Sequence, residues 1–212
     1  MTKLILIRHG ESVFNLERRY TGQTDVPLTE KGIKQAEITA EYILKNYRID
    51  AIYSSDLTRA IDTARPIADK LGLKIQTDPR LREIYAGVWQ GLLFSEVKEK
   101  YKEEYEKYQS DRANCRTLGG EGMSDVLKRV YESLLDIARA NPEKDLLISL
   151  HNGPLMALQV KLLNVGFNDI KSLANNSITE LDFDGESFKV IKFGYNEHLG
   201  DLVTSFKNNT HN

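Results

Sequence analysis

Two of the four histidines, His9 and His151, each follow a short apolar run directly. Leu4-Ile5-Leu6-Ile7 ends in Arg8-His9-Gly10, and Leu146-Leu147-Ile148-Ser149-Leu150 ends in His151-Asn152-Gly153. Continuous apolar runs of this length read as buried parallel strands, and in open α/β sheets the loops at the carboxyl ends of strands converge on one crevice. The two imidazoles can therefore meet despite their distance in sequence. Near pH 7 an imidazole can move a proton or attack as a neutral nucleophile, and Arg8 adds a permanent cation beside the first. A lone histidine is more often a hydrogen-bonded structural residue, but two at equivalent strand ends form a pattern. The histidines lack the short spacings of a metal-ligand motif, so no metal is expected.

The elements that would position these residues follow from periodicity. Thr29 is placed to cap a helix ending near Tyr47, with Ile33, Ala36, Ala40, Ile43 and Leu44 on an apolar face turned to the sheet. Ala51 to Ser54 reads as a second strand, followed by a helix marked by Leu57, Ala60, Ile61, Ala64, Ile67, Ala68 and Leu71, where Pro66 would introduce a kink. Residues 95–109 are dense in Lys and Glu, with Val97, Tyr101, Tyr105 and Tyr108 at helical spacing. The favoured reading is one solvated helix with its aromatic face on the body; the alternative is a lid over a cleft. Gly119-Gly120-Glu121-Gly122 reads as a loop and helix entry, because no strand precedes it as a nucleotide-binding fingerprint requires. The helix after it turns Val126, Val130, Leu134, Leu135 and Ile137 inward. Leu155 to Leu163 is helix-like. Ile178 to Phe183 and Phe188 to Phe193 form a hairpin around Asp184-Gly185.

Hydrophobic residues make up 41% of the 212, ample for a core, and without repeats or linkers the pattern is one α/β domain. Twenty-nine Lys and Arg against 31 Asp and Glu leave a net charge of −2, which argues against nucleic acid as a partner. The single cysteine, Cys115, cannot form an internal disulfide, which fits a reduced, cytoplasmic setting. The first apolar run is broken by Arg8, too soon for a signal core or a membrane span. Nothing in the pattern sets an oligomeric state.

Five blocks in order, LILIRHGESVFN, YTGQTDVPLTEKGIKQA, AIYSSDLTRAIDTA, LREIYAGVWQG and LLISLHNGPL, followed by YNEHL, resemble the histidine phosphatase, or phosphoglycerate mutase-like, superfamily. The resemblance implies a three-layer sandwich with a mostly parallel central sheet flanked by helices. It also implies one domain over residues 1–206 with a helical cap at about 92–122; the polar composition of 207–212 reads as a mobile tail. By resemblance His9 is the nucleophile that becomes a phosphohistidine, Arg8, Arg59 and His151 bind the phosphoryl group, and Glu83 is the general acid and base. Asn15 and Gln23 match secondary phosphate contacts, and Gly22 lets the backbone approach closely. Ser12 is either a hydroxyl contributed to the site or an N-cap. Taken alone, Arg59 could be a surface ion pair and Glu83 a loop charge. Asn152 departs from the family, where glycine is usual: asparagine tolerates positive φ, and its amide could instead contact substrate. His198 is assigned a structural hydrogen bond, and His211 no role.

The expected activity is a metal-independent, cofactor-free phosphomonoesterase acting on small phosphorylated substrates, with neither nucleic acid nor membrane as partner. The alternatives are a cofactor-dependent phosphoglycerate mutase and a non-catalytic phospholigand-binding domain. The second has no need of Glu83 as an acid. A metallohydrolase is weaker still.

Overall fold

Seven residues at the amino end, Thr2–Arg8, form strand β1, and every side chain from Leu4 to Ile7 is fully buried. The computed structural model describes residues 1–204. β1 lies inside a six-stranded sheet with β2 (Ala51–Ser54), β3 (Ile75–Thr77), β4 (Asp145–Leu150), β5 (Ile178–Phe183) and β6 (Phe188–Tyr195), in the order β3-β2-β4-β1-β5-β6. The pairs β1/β4, β2/β4 and β2/β3 are parallel, whereas β5 runs antiparallel to both β1 and β6.

Successive side chains of a strand point to opposite faces. Leu4 and Leu6 therefore pack with α6 (Met123–Ala140) and α7 (Asn152–Leu162), and Ile5 and Ile7 pack with α2 (Glu30–Asn46) and α3 (Thr58–Leu71). This gives the expected helix–sheet–helix layering. Thr29 caps α2, its hydroxyl accepting from Gly32 N at 3.0 Å. Ile33 is not on the packed face, being 49% exposed, because the buried stripe runs through Gly32, Ala36, Thr39, Ala40 and Ile43. α3 continues unbroken from Thr58 to Leu71 past Pro66, with Leu71 at its exposed end.

The Lys- and Glu-rich segment is two helices, α4 (Phe94–Lys100) and α5 (Lys102–Ser110), separated by Tyr101 at φ −128° and ψ 41°. No glycine or proline breaks it; the turn lets Val97, Tyr101, Tyr105 and Tyr108 gather around the buried Trp89. Strand β3 was not anticipated, since three residues are too short to show a period. α7 begins at Asn152, three residues earlier than its apolar run suggested, with His151 as N-cap. β5 and β6 turn at Asp184-Gly185, where Gly185 has φ +110°. The short α1 (Val13–Leu16) follows β1. The tail at 207–212 and His211 lie outside the described residues. Among those described, no helix is long and apolar enough to cross a membrane.

Leu147 on β4 is fully buried between neighbouring strands, and Ile191 on the edge strand β6 is 46% exposed. Leu147→Ala is expected to cost about 2–5 kcal/mol in urea denaturation, while Ile191→Ala stays within about 0.5 kcal/mol. Equal losses would contradict this assignment of the core.

Candidate active site

Arg8 is the last residue of β1 and His9 follows it, its backbone N–H bonded to Leu150 O of the neighbouring β4 at 2.9 Å. That ladder bond fixes the two strand ends side by side, and the rings of His9 and His151 lie 5.0 Å apart at 59°. Next to His9, Gly10 N donates to Thr63 Oγ1 of α3 at 3.0 Å. Thr63 Oγ1 in turn donates to Arg59 O at 2.7 Å, and Ser149 Oγ of β4 donates to Ala60 O at 2.8 Å. These bonds seat the first turn of α3, and with it Arg59, against the ends of β1 and β4.

Arg59 is fully buried, so it is no surface ion pair; its two terminal nitrogens donate to Thr24 O and Gly22 O, each at 2.8 Å. Gly22 has φ +51°, and a side chain there would overlap Gln90, so the sharp turn that offers its carbonyl to Arg59 requires glycine. Arg8 is 2% exposed and donates to Leu173 O. Burial lowers both guanidinium pKa values to about 10, while the charge of Glu83 reaches both and raises them.

His9 Nδ1 lies 2.7 Å from Gly10 O. A carbonyl only accepts, so Nδ1 carries the proton and Nε2 keeps its lone pair. Burial, then Arg59 and Arg8, hold the His9 pKa well below its ordinary value. His151 is fully buried, with neither ring nitrogen hydrogen-bonded within the described residues, and burial, then Arg59 and His9, keep it neutral as well.

Glu83 comes from an irregular segment between two short 3-10 turns, Pro79–Leu81 and Gly87–Trp89. Its Oε1 accepts from Ile84 N at 2.8 Å and from Gly153 N, at the start of α7, at 2.9 Å. A Cβ on Gly153 would overlap that oxygen. Burial is the leading cause of a raised Glu83 pKa, opposed by its backbone bonds and by Arg59 and Arg8. It is therefore not a solvated loop charge.

The remaining candidates divide. Ser12 is the N-cap of α1, accepting from Asn15 N, while Asn15 Oδ1 accepts from Ser12 N and Asn175 Nδ2. Gln23 Nε2 donates to Glu83 O at 3.1 Å, so this side chain supports the loop that carries Glu83. Asn152 is helical and has no positive φ; its Oδ1 accepts from Leu173 N at 3.0 Å and Ser172 Oγ at 3.2 Å. His198 has the structural bond expected, Nε2 to Thr39 Oγ1 at 3.0 Å, and stacks on Tyr42 and Tyr195. Thr63, Asn175 and Gly153 were not found from sequence. They hold backbone or fill no space, and no periodicity marks them.

The family model of the histidine phosphatase superfamily (branch 1) matches residues 4–196. The chain belongs to the histidine phosphatase superfamily. Phosphoserine phosphatase 1 of Hydrogenobacter thermophilus is 32% identical over 204 residues, covering 95% of this chain and 96% of that protein. A probable phosphoglycerate mutase of Yersinia pestis is 35% identical over 188 residues, 86% of each. The crystal structure of an Entamoeba histolytica phosphoserine phosphatase with 3-phosphoglyceric acid matches with a TM-score of 0.82 at 32% identity, covering 94% of this chain and all of that one. As a histidine phosphatase superfamily member with phosphatase relatives over nearly its full length, this chain is an enzyme with phosphatase activity.

The buried histidines make the fold of this superfamily member sensitive to acid. His9 and His151 lie well below the ordinary 6.5, and burial pushes His198 down to about 4. Below pH 6.5 the unfolded chain takes up protons that the folded one refuses, so this stability is full above 6.5 and falls as the pH drops. Glu83 has the opposite sign: its contribution is full below 4.5 and lost as pH rises through its raised pKa. Three histidines outweigh one carboxyl, so the thermal midpoint should fall between pH 7 and pH 5, and less steeply in His198→Asn. A midpoint flat over that range would refute the assignment.

Proposed function

We propose that the protein is a phosphomonoesterase acting on small phosphorylated metabolites, with His9 Nε2 as nucleophile. The observation that carries this reading is the His9 Nδ1–Gly10 O bond, which leaves an unprotonated Nε2 beside His151 and within electrostatic reach of Arg8 and Arg59. The Nε2 lone pair attacks phosphorus and the ester P–O bond breaks. Arg8 and Arg59 stabilise the equatorial oxygens, to which the His151 ring also donates. Glu83 supplies the leaving group's proton. Because Oε1 already accepts two backbone N–H groups, that proton sits on Oε2. Water then attacks the phosphohistidine, gives its proton to Glu83 Oε2, and the P–N bond breaks to release phosphate. Asn15 serves as a secondary contact to the phosphoryl group; Gln23 joins it there through its second amide hydrogen.

The segment at about 92–122 acts as the cap over the leaving-group side. In support, Tyr108 packs edge-on against Trp89 at 5.5 Å, and the charge of Glu83 reaches its hydroxyl, which burial pushes up to about 12. Water is the acceptor in this reading. A mutase must hold a glycerate carboxylate for the return transfer, yet Arg112 bonds Gln109 at 2.5 Å and Arg116 pairs with Asp125 at 2.7 Å, so they form no joint carboxylate clamp.

His9→Ala should remove nearly all turnover with the fold intact, and mixing wild type with labelled substrate should trap an acid-labile phosphoenzyme; label on serine or aspartate would overturn the mechanism. Glu83→Gln should slow an alkyl phosphate by about 10²- to 10⁴-fold and an activated aryl phosphate far less, since a stable leaving anion needs no proton. Phosphate release should also exceed interconversion of 2- and 3-phosphoglycerate measured with a bisphosphoglycerate primer. Faster isomerisation would make the protein a mutase.

A further inference from the structure

The backbone that carries Glu83 belongs to no strand or helix; Gln23 holds one of its carbonyls, and a single further side chain gathers three. Arg129, on α6, donates from Nη1 to Arg80 O and Arg82 O, each at 2.7 Å, and from Nη2 to Glu83 O at 3.0 Å. The other two guanidinium hydrogens go to Glu121: Nε to Oε1 at 2.8 Å and Nη2 to Oε2 at 2.9 Å. All five N–H groups of the fork are thus used. Glu121 closes the far side, its Oε2 accepting from Tyr85 N and its own N–H donating to Tyr85 O, both at 2.8 Å. Residues 80–85 are held at four backbone atoms by the side chains of one ion pair that is only about one-fifth exposed, and at a fifth by the Glu121 backbone N–H.

We infer that Arg129 and Glu121 are positioning residues for the acid–base step, fixing where the Glu83 carboxyl meets the leaving oxygen without touching the phosphoryl group themselves. This rests on Glu83 being the general acid. Proton transfer in the transition state needs the carboxyl within about 2.6–3.2 Å of its partner, and a misplacement of about 1 Å can cost 10²-fold. Of the phosphate-binding groups only the secondary contact Gln23 touches this backbone; Arg59 is seated by Gly22 and Thr24, and His9 by Leu150 and Gly10. Loss of the clamp should therefore displace Glu83 and leave the anion site in place. Lysine cannot substitute, because a single ammonium has three hydrogens and no planar fork to span three carbonyls and a carboxylate.

The test compares wild type, Glu83→Gln, Arg129→Met, Arg129→Lys and the milder Glu121→Gln on phosphoserine and on p-nitrophenyl phosphate, with inorganic phosphate as competitive inhibitor. Arg129→Met is expected to lower kcat for phosphoserine by about 10- to 100-fold and for p-nitrophenyl phosphate by less than about threefold, leaving phosphate inhibition unchanged. Arg129→Lys should show the same split, Glu121→Gln a smaller one. Adding Arg129→Met to Glu83→Gln should cost little more on phosphoserine, because the step it serves is already gone. Equal losses on both substrates, weaker phosphate inhibition, or additive losses in the double variant would overturn the inference, as would wild-type kinetics in both Arg129→Met and Glu121→Gln. If Glu83→Gln itself shows no split, the acid assignment fails; if only the Arg129 and Glu121 variants show none, the clamp alone fails.

Discussion

Burying two guanidinium groups at the carboxyl ends of the sheet is the constraint on which the rest of this molecule depends. Removing one ion from water costs several kcal/mol even after relaxation, comparable with the 5–15 kcal/mol by which a whole domain is stable. Backbone carbonyls of Leu173, Gly22 and Thr24 meet part of that cost. They supply dipoles and no net charge, so positive potential persists there and suits a doubly negative phosphoryl group. Burial first, and then the same potential, keeps both histidines neutral, the form that the proposed nucleophile requires.

Glu83 sits under two opposed influences. Burial raises its pKa, whereas Arg8, Arg59 and two backbone N–H groups lower it, and burial is the larger effect. A bound phosphoryl group would screen the arginines and push the carboxyl further towards its protonated form, which is the form needed to protonate a leaving oxygen. In the proposed mechanism, departure of the leaving group reverses the requirement, and the carboxylate then formed is the base that water needs. On that proposal the site draws both roles from one group by changing the charge beside it.

Much of the candidate site is legible in the sequence. His9 and His151 stand out because a buried strand writes itself as a continuous apolar run, and the residue after it is delivered to the sheet's edge; Thr29 and the Asp184-Gly185 turn declare themselves by local chemistry. The familiar blocks around Arg59 and Glu83 added what periodicity could not. Reading failed where long-range packing overrides local pattern: Tyr101 interrupts a helix to wrap tyrosines around Trp89, and Ile33 lies outside a stripe completed by Gly32 and Thr39. Asn152 shows the same limit. Its departure from glycine does not serve positive φ; its side-chain oxygen ties α7 to the loop at 172–173.

The sequence by itself determined the α/β order and the two strands that present histidines, because each is written in contiguous residues whose spacing reflects local geometry; the family chemistry came through the resemblance of its blocks. Only the tertiary structure decided which nitrogen of His9 carries the proton, that Gln23 braces the Glu83 loop, and that Arg129 gathers three carbonyls forty-odd positions away. Those facts depend on hydrogen bonds to backbone atoms. Every residue type owns such atoms, so side-chain identity along the chain carries no record of which of them will meet.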